Sequence, residues 1–310
     1  MTFSYVLGKM LSLAVMMLLG FAANKGGILD GHANKSLSDL VVNITTPCMM
    51  LAALSATKAD RSDLLLMIVC AVIMFGLFFL AAQVIPKRLP VPEKEVPAYK
   101  YFTIFTNNGF MGFPIVKALW GNKALIYASL INIPVSIMMY TYGIWLYANK
   151  SGEKVKFSLR KLNNIPNVSA VLVLILAMFK VGFGGPVQDT LSVIGDATVP
   201  LSMIVVGSTL AERAQNGKFR DWIVYVFAAV RLLAFPLAVF GLVYFLPIDA
   251  LIKGVLVIIA AMPGSANGVL FAQQYSYNRT VSSWYVFVST VMSVLTIPLI
   301  SVIVLAPLGI

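Results

Sequence analysis

The sequence predicts an all-α polytopic membrane protein with ten transmembrane helices, arranged as two five-helix repeats inserted in opposite orientations. Three observations predict it. First, 59% of the 310 residues are hydrophobic and only 11% are charged, where a soluble domain carries about 25% charged residues. Mean hydropathy is +0.89, so the outer surface must face lipid. Second, the apolar residues gather into ten segments with short gaps. Third, corresponding segments of the two halves carry matching polar, proline and glycine interruptions.

The segments run near 3–22, 38–57, 64–85, 99–119 and 124–148, then 165–183, 190–210, 222–246, 251–273 and 281–307. A bilayer core of ~30 Å needs about 20 apolar residues per helix, and lipid offers no partner to an unpaired backbone group, so each span is expected to be helical. The first segment is long enough to stay as a span, and no signal-cleavage pattern accompanies it. Residues 1–148 form the first repeat, 149–164 a basic cytoplasmic linker, and 165–310 the second repeat.

Orientation follows from lysine and arginine in alternate gaps. One set holds fifteen: Lys25, Lys35, Lys87, Arg88, Lys94, Lys100, Lys150, Lys154, Lys156, Arg160, Lys161, Arg213, Lys218, Arg220 and Arg279. The other holds six: Lys58, Arg61, Lys117, Lys123, Lys180 and Lys253. The positive-inside bias puts the first set in the cytoplasm and both termini outside. The net charge of +11 is therefore a topology signal, and no nucleic-acid partner is expected.

An odd number of spans per half forces opposite insertion, the inverted repeat common in secondary transporters. In the second and seventh spans Thr45 corresponds to Thr198, Pro47 to Pro200 and Asn43 to Asp196. The fourth span carries Asn107-Asn108-Gly109 with Pro114, and the ninth carries Pro263-Gly264-Ser265-Ala266-Asn267-Gly268. Proline and glycine weaken the helical hydrogen-bond ladder. Amide side chains can substitute for the freed backbone partners.

If both helices unwind near the bilayer midplane, four half-helix ends meet there. The N-terminal ends attract anions through free N–H groups and the macrodipole. Asn107, Asn108, Gly109, Ser265, Asn267, Gly268 and Arg231 are the candidate substrate-binding residues, and Pro47, Pro114, Pro200 and Pro263 the helix breakers. Small residues in membrane helices also serve close packing; two Asn-rich breaks at corresponding positions point instead to a site.

Two ionisable residues stand inside spans, where such groups are functional candidates. Asp196, with Asn43 at the corresponding position, is the candidate for coupling to a proton or sodium ion. Arg231, near the middle of the eighth span, has three options: binding an anionic substrate, pairing with Asp196, or compensating helix ends at the break. Lys9 is expected to snorkel. Gln273 and Gln274 are expected at the interface, and Trp145, Tyr147, Trp222 and Trp284 in an aromatic belt. Cys48 and Cys70 lie in apolar segments as packing residues.

An intramembrane enzyme fits poorly. The single histidine, His32, is expected in a loop, and no HExxH or paired catalytic aspartate falls within the spans. A channel would show repeated pore loops or charged rings, and neither is visible. No cofactor or metal is expected.

Over essentially its whole length the chain resembles the auxin efflux carrier family, which includes plant auxin exporters and bacterial malate and malonate permeases. The resemblance rests on Pro47, the run Asn107 to Pro114, Lys117 and Gly121 in the first half. In the second half it rests on Ser192 to Asp196, Arg231 with Pro236, Ala260-Ala261-Met262-Pro263, Phe271-Ala272 and Tyr275. It implies broken, crossing fourth and ninth helices, as in sodium–proton antiporters and bile-acid transporters, with the first, second, sixth and seventh helices as a scaffold for a moving transport unit. It further implies a substrate carboxylate near Asn107, a homodimer, and a bacterial inner-membrane location. Thr106 and the Asn267-Gly268 region replace the plant crossover prolines, and the 149–164 linker is short. A dicarboxylate such as malate or malonate is therefore expected in preference to auxin.

Overall fold

The computed structural model describes residues 3–55, 60–149, 163–214, 222–275 and 279–308. Most of the expected linker, 150–162, lies outside the described residues. Every regular element among those described is helical, as the lack of solvent for backbone groups in lipid demands.

The first half contains α1 (Phe3–Lys25), α2 (Gly31–Leu40), α3 (Thr46–Ser55), α4 (Arg61–Arg88), α5 (Val96–Ile104), α6 (Phe113–Met138) and α7 (Ile144–Ala148). The second contains α8 (Ile165–Met178), α9 (Gly185–Asp196), α10 (Thr198–Ala214), α11 (Trp222–Tyr244), α12 (Ala250–Ala260), α13 (Asn267–Gln274) and α14 (Arg279–Leu308). Three π-helical turns, Val41–Thr45, Asn108–Gly112 and Met139–Gly143, join α2 to α3, lead into α6, and join α6 to α7. Asp30 caps α2 by accepting from the Ala33 N–H at 2.7 Å, and Asn164 caps α8 by accepting from Asn167 at 3.1 Å. His32 is the second residue of α2 and exposed, which corrects its expected loop position; the cap at Asp30 starts the helix earlier than the apolar pattern does.

Seven continuous helical stretches among the described residues are long and apolar enough to cross a membrane. The expected fourth and ninth spans do not count singly because each is split. The second part of the fourth runs into the fifth through Gly121, whose φ of 73° marks a sharp turn inside α6. The sixth, α8, has only 14 residues. The seventh counts as one stretch, Gly185–Glu212, with the single turn residue Ala197 between α9 and α10.

Packing joins the halves. α1 lies on α10, α3 on both α8 and α9, α4 on α5 and α6, and α11 on α12 and α14. The α1–α10 crossing is a backbone contact. A Cβ on Gly20 would strike the Ile204 carbonyl, and one on Gly207 the Met17 carbonyl. A Cβ on Gly195 would come within 2.6 Å of the Met49 Cα, so α9 and α3 also meet backbone to backbone. Close approach through small residues drives helix association in lipid, where apolar burial gives no advantage.

The aromatic residues divide by environment. Trp145 and Trp222 are exposed, as an interfacial belt requires, whereas Tyr147 and Trp284 are buried, Trp284 stacked on Phe287 at 5.0 Å. Lys9, Gln273 and Gln274 are exposed. Lys9 lies over the Tyr5 ring at 5.4 Å.

Candidate functional site

The two broken helices meet at their breaks. α5 stops at Ile104, Phe105 is extended (φ −97°, ψ 120°), and the chain re-enters helix at Asn108. In the second half α12 stops at Ala260 and α13 starts at Asn267. Thr106 and Gly264 form an antiparallel bridge. The Asn107 N–H donates to the Pro263 carbonyl at 2.8 Å, and the Ser265 N–H donates to the Phe105 carbonyl at 3.2 Å. Each break thus supplies backbone partners that the other lacks, as buried peptide groups require. The Gly264 N–H donates to the Ser289 hydroxyl at 3.2 Å, which adds α14 to the crossing.

The prolines fall at irregular turns of the helices or in the crossing, where the helical hydrogen-bond ladder is already altered. Pro47 and Pro114 are second residues of α3 and α6, Pro200 is the third residue of α10, and Pro263 lies in the non-helical crossing itself.

Glycine is required at the crossing by close approach. A Cβ on Gly264 would lie 2.6 Å from Tyr285 and 2.9 Å from Phe102; one on Gly268 would lie 2.6 Å from Tyr101. Phe102 and Tyr285 stack with centroids 4.5 Å apart. These rings form an aromatic wall along one side of the crossing.

The other side opens into a cavity of about 160 Å³. Asn107, Asn108, Gly109, Ser265 and Asn267 line it, so five of the sequence candidates are brought together. The Asn107 side chain accepts from the Phe110 N–H at 3.3 Å. Thr106 donates its hydroxyl to Asn108 Oδ1 at 2.6 Å; Asn108 Nδ2 is buried with no hydrogen-bond partner. Asn267 Nδ2 lies 3.4 Å from Met139 Sδ. Gly268 is buried against Tyr101 and Phe102 and is not in the lining.

Sequence reasoning missed half of the polar wall. Asn132, Ser136 and Tyr140 of α6 and the turn that follows it, and Asn164 and Asn167 at the start of α8, also line the cavity, with Thr46 and Thr106. The spacing Asn132, Ser136, Tyr140 is a polar stripe at every fourth position of an apolar helix, the signal that could have revealed them. Among the described residues no lysine, arginine, histidine, aspartate or glutamate is in the lining. These residues offer amides and hydroxyls, which can bind a polar solute.

The two intramembrane charges lie elsewhere. Arg231 is 1% exposed; its Nε donates to the Thr103 carbonyl at 3.0 Å and its Nη1 to the Ala260 carbonyl at 2.7 Å. Phe78 and Phe235 lie 4.8 and 4.5 Å from the guanidinium carbon. Arg231 is absent from the cavity lining, and of its three sequence-derived options the geometry matches the compensation of helix ends. Asp196 pairs with Lys117 at 2.7 Å and not with Arg231. Its side chain is 71% exposed, at the edge of a second, open depression of about 830 Å³ that also touches Tyr5, Lys9, Trp120 and Leu251. Asp196 is the last residue of α9. Asn43 sits half-buried in the first π turn, outside the first cavity's lining.

The chain is similar to known proteins along nearly all its length. The membrane transport protein family matches residues 5–301. An uncharacterized transporter of Methanothermobacter thermautotrophicus is 27% identical over 296 residues, covering 94% of this chain and 96% of that protein. An uncharacterized transporter of Methanocaldococcus jannaschii is 23% identical over 297 residues, covering 92% and 94%. A multi-pass helical architecture, a polar cavity at a helix crossing, and a match over almost every residue agree: the chain belongs to the membrane transport protein family, that of the auxin efflux carriers, and is a transporter and not an enzyme.

Proposed function

We propose that the protein is a secondary active transporter of a small organic anion, a dicarboxylate such as malate or malonate or an auxin-like carboxylate, working by elevator-type alternating access. The observation that carries the reading is the amide-lined cavity at the crossing of two antiparallel helix breaks, with the unpartnered Asn108 Nδ2 inside it. Neutral donors and the N-terminal ends of helices suit a carboxylate. Asn107, Asn108, Ser265 and Asn267 contact the substrate.

Ten spans in two inverted repeats remain the proposed architecture. The reciprocal packing supports it: α1 of the first half lies on α10 of the second, and α8 of the second lies on α3 of the first. α4 also flanks α5 as α11 flanks α12. In the elevator reading α1, α2, α3, α8, α9 and α10 form the scaffold, and the crossing moves against them. The charge pattern orients both termini outward in a cell membrane, and the cavity, bordered by Asn164 and Asn167 next to the basic linker, opens toward the cytoplasm. Asp196, exchanging its Lys117 partner for a proton or sodium ion, is the coupling residue; a homodimer is the proposed assembly.

The test is uptake of labelled malate, malonate, citrate, 2-oxoglutarate and indole-3-acetate into proteoliposomes with and without a pH gradient. Saturable uptake stimulated by the gradient supports the reading. Saturable uptake indifferent to it makes the protein an uncoupled facilitator, and no uptake of any anion by folded, inserted protein overturns the anion site.

A further inference from the structure

Among the described residues the cavity's lining carries no formal charge, so a preference for anions built by these residues comes from groups behind it. Four half-helix ends meet at the crossing. The C-terminal ends of α5 and α12 each present about −0.5 of an elementary charge, and the N-terminal ends beginning at Asn108 and Asn267 each present about +0.5. Left alone these sum to nearly zero. A small site would then feel little net field.

Arg231 changes that sum. One guanidinium donates to Thr103 in the last turn of α5 and to Ala260, the last residue of α12. It therefore sits on both negative ends at once, and its unit positive charge offsets about −1. The two N-terminal ends are left unopposed beside the cavity. Burial between Phe78 and Phe235 keeps water from screening the guanidinium. Thr103 is three residues from Thr106, which lines the cavity, and three residues span at most about 10 Å.

We propose that Arg231 is the specificity-determining charge of this transporter: a positioning residue that never touches the solute, holds the two C-terminal helix ends together, and makes an uncharged amide cavity electropositive. The inference rests on the crossing being the substrate site. A monovalent anion is favoured over a cation of the same size by a field, with the amides adding shape and hydrogen bonding.

A test that needs no transported substrate separates this inference from the transport reading. Ala266 lines the cavity and is half-buried. Ala266→Cys is made in a Cys48→Ser, Cys70→Ser background. Its rates of modification by an anionic (sulfonatoethyl) and a cationic (trimethylammonioethyl) methanethiosulfonate are compared. With Arg231 present, the anionic-to-cationic rate ratio is expected to exceed that of Gln274→Cys, an exposed reference position, by up to about a hundredfold, since a unit charge ~12 Å away at an effective dielectric of ~20 speeds the anion and slows the cation by about tenfold each. Arg231→Met should bring the ratio down by a similar factor, and Arg231→Lys should retain most of it. Equal ratios at Ala266→Cys and Gln274→Cys overturn the proposal even if Arg231→Met fails to fold. So does a folded Arg231→Met protein with an unchanged ratio. Failure of every anion to be transported, with the ratio still dependent on Arg231, would overturn the transport reading, and with it Arg231's role in specificity, while the electropositive cavity that Arg231 creates would stand.

Discussion

Lys117 Nζ stands 2.7 Å from Asp196 Oδ1 and ties α6, just beyond the first helix break, to the end of α9. The pair is partly open, with side chains 20% and 71% exposed, so it contributes at most about 1 kcal/mol to stability. Asp196→Asn should leave the folded protein intact, with a melting temperature within about 4 °C of the parent, while abolishing stimulation of uptake by a pH gradient. A gradient response equal to the parent's would remove Asp196 from coupling.

Asn107→Ala and Asn267→Ala should each weaken binding of the transported anion by about five- to tenfold, the value of one lost hydrogen bond of ~1 kcal/mol or slightly more. Calorimetric titration of the purified variants measures it. Parent-like affinity in both would move the substrate out of the cavity that these residues line.

Glycine at 264 is held by aromatic contacts, whereas Gly109 has nothing within 4 Å of where its Cβ would be. Gly264→Ala should therefore cost about 1–3 kcal/mol by overpacking against Tyr285 and Phe102, and Gly109→Ala close to nothing. Thermal unfolding in detergent distinguishes the two. Equal melting temperatures would mean that the aromatic wall yields freely.

The α1–α10 contact should be less forgiving. Gly20→Leu or Gly207→Leu puts a side chain into the opposite backbone and is expected to abolish a monodisperse peak in size-exclusion chromatography. Gly8→Leu, at a position with nothing within 4 Å, is the matched control on the same helix.

The spans and their interruptions were legible because lipid imposes one solution on a long apolar segment, and because Asn107-Asn108-Gly109 and Pro263-Gly264 violate helix propensity where nothing in water would compensate. The cavity was half legible. Asn107 and Asn267 announce themselves by lying at breaks, but Asn132, Ser136, Asn164 and Asn167 are single polar residues that only tertiary packing gathers. The charges were legible as exceptions, not as partners. Asp196 was weighed against Arg231, and geometry gives it Lys117, 79 residues away, while Arg231 bonds to carbonyls, which leave no trace in a sequence.

The two backbone hydrogen bonds across the crossing also set the order in which the protein can be made. Asn107 and Phe105 leave the ribosome about 160 residues ahead of Pro263 and Ser265, a wait of roughly 8–30 s at 5–20 residues per second. During it the first break inserts into the membrane with a donor and an acceptor unmatched. The nascent first half must therefore be sheltered by the insertion machinery or by water until its counterpart arrives, and a ribosome stalled between the two breaks would release an early target for membrane proteases.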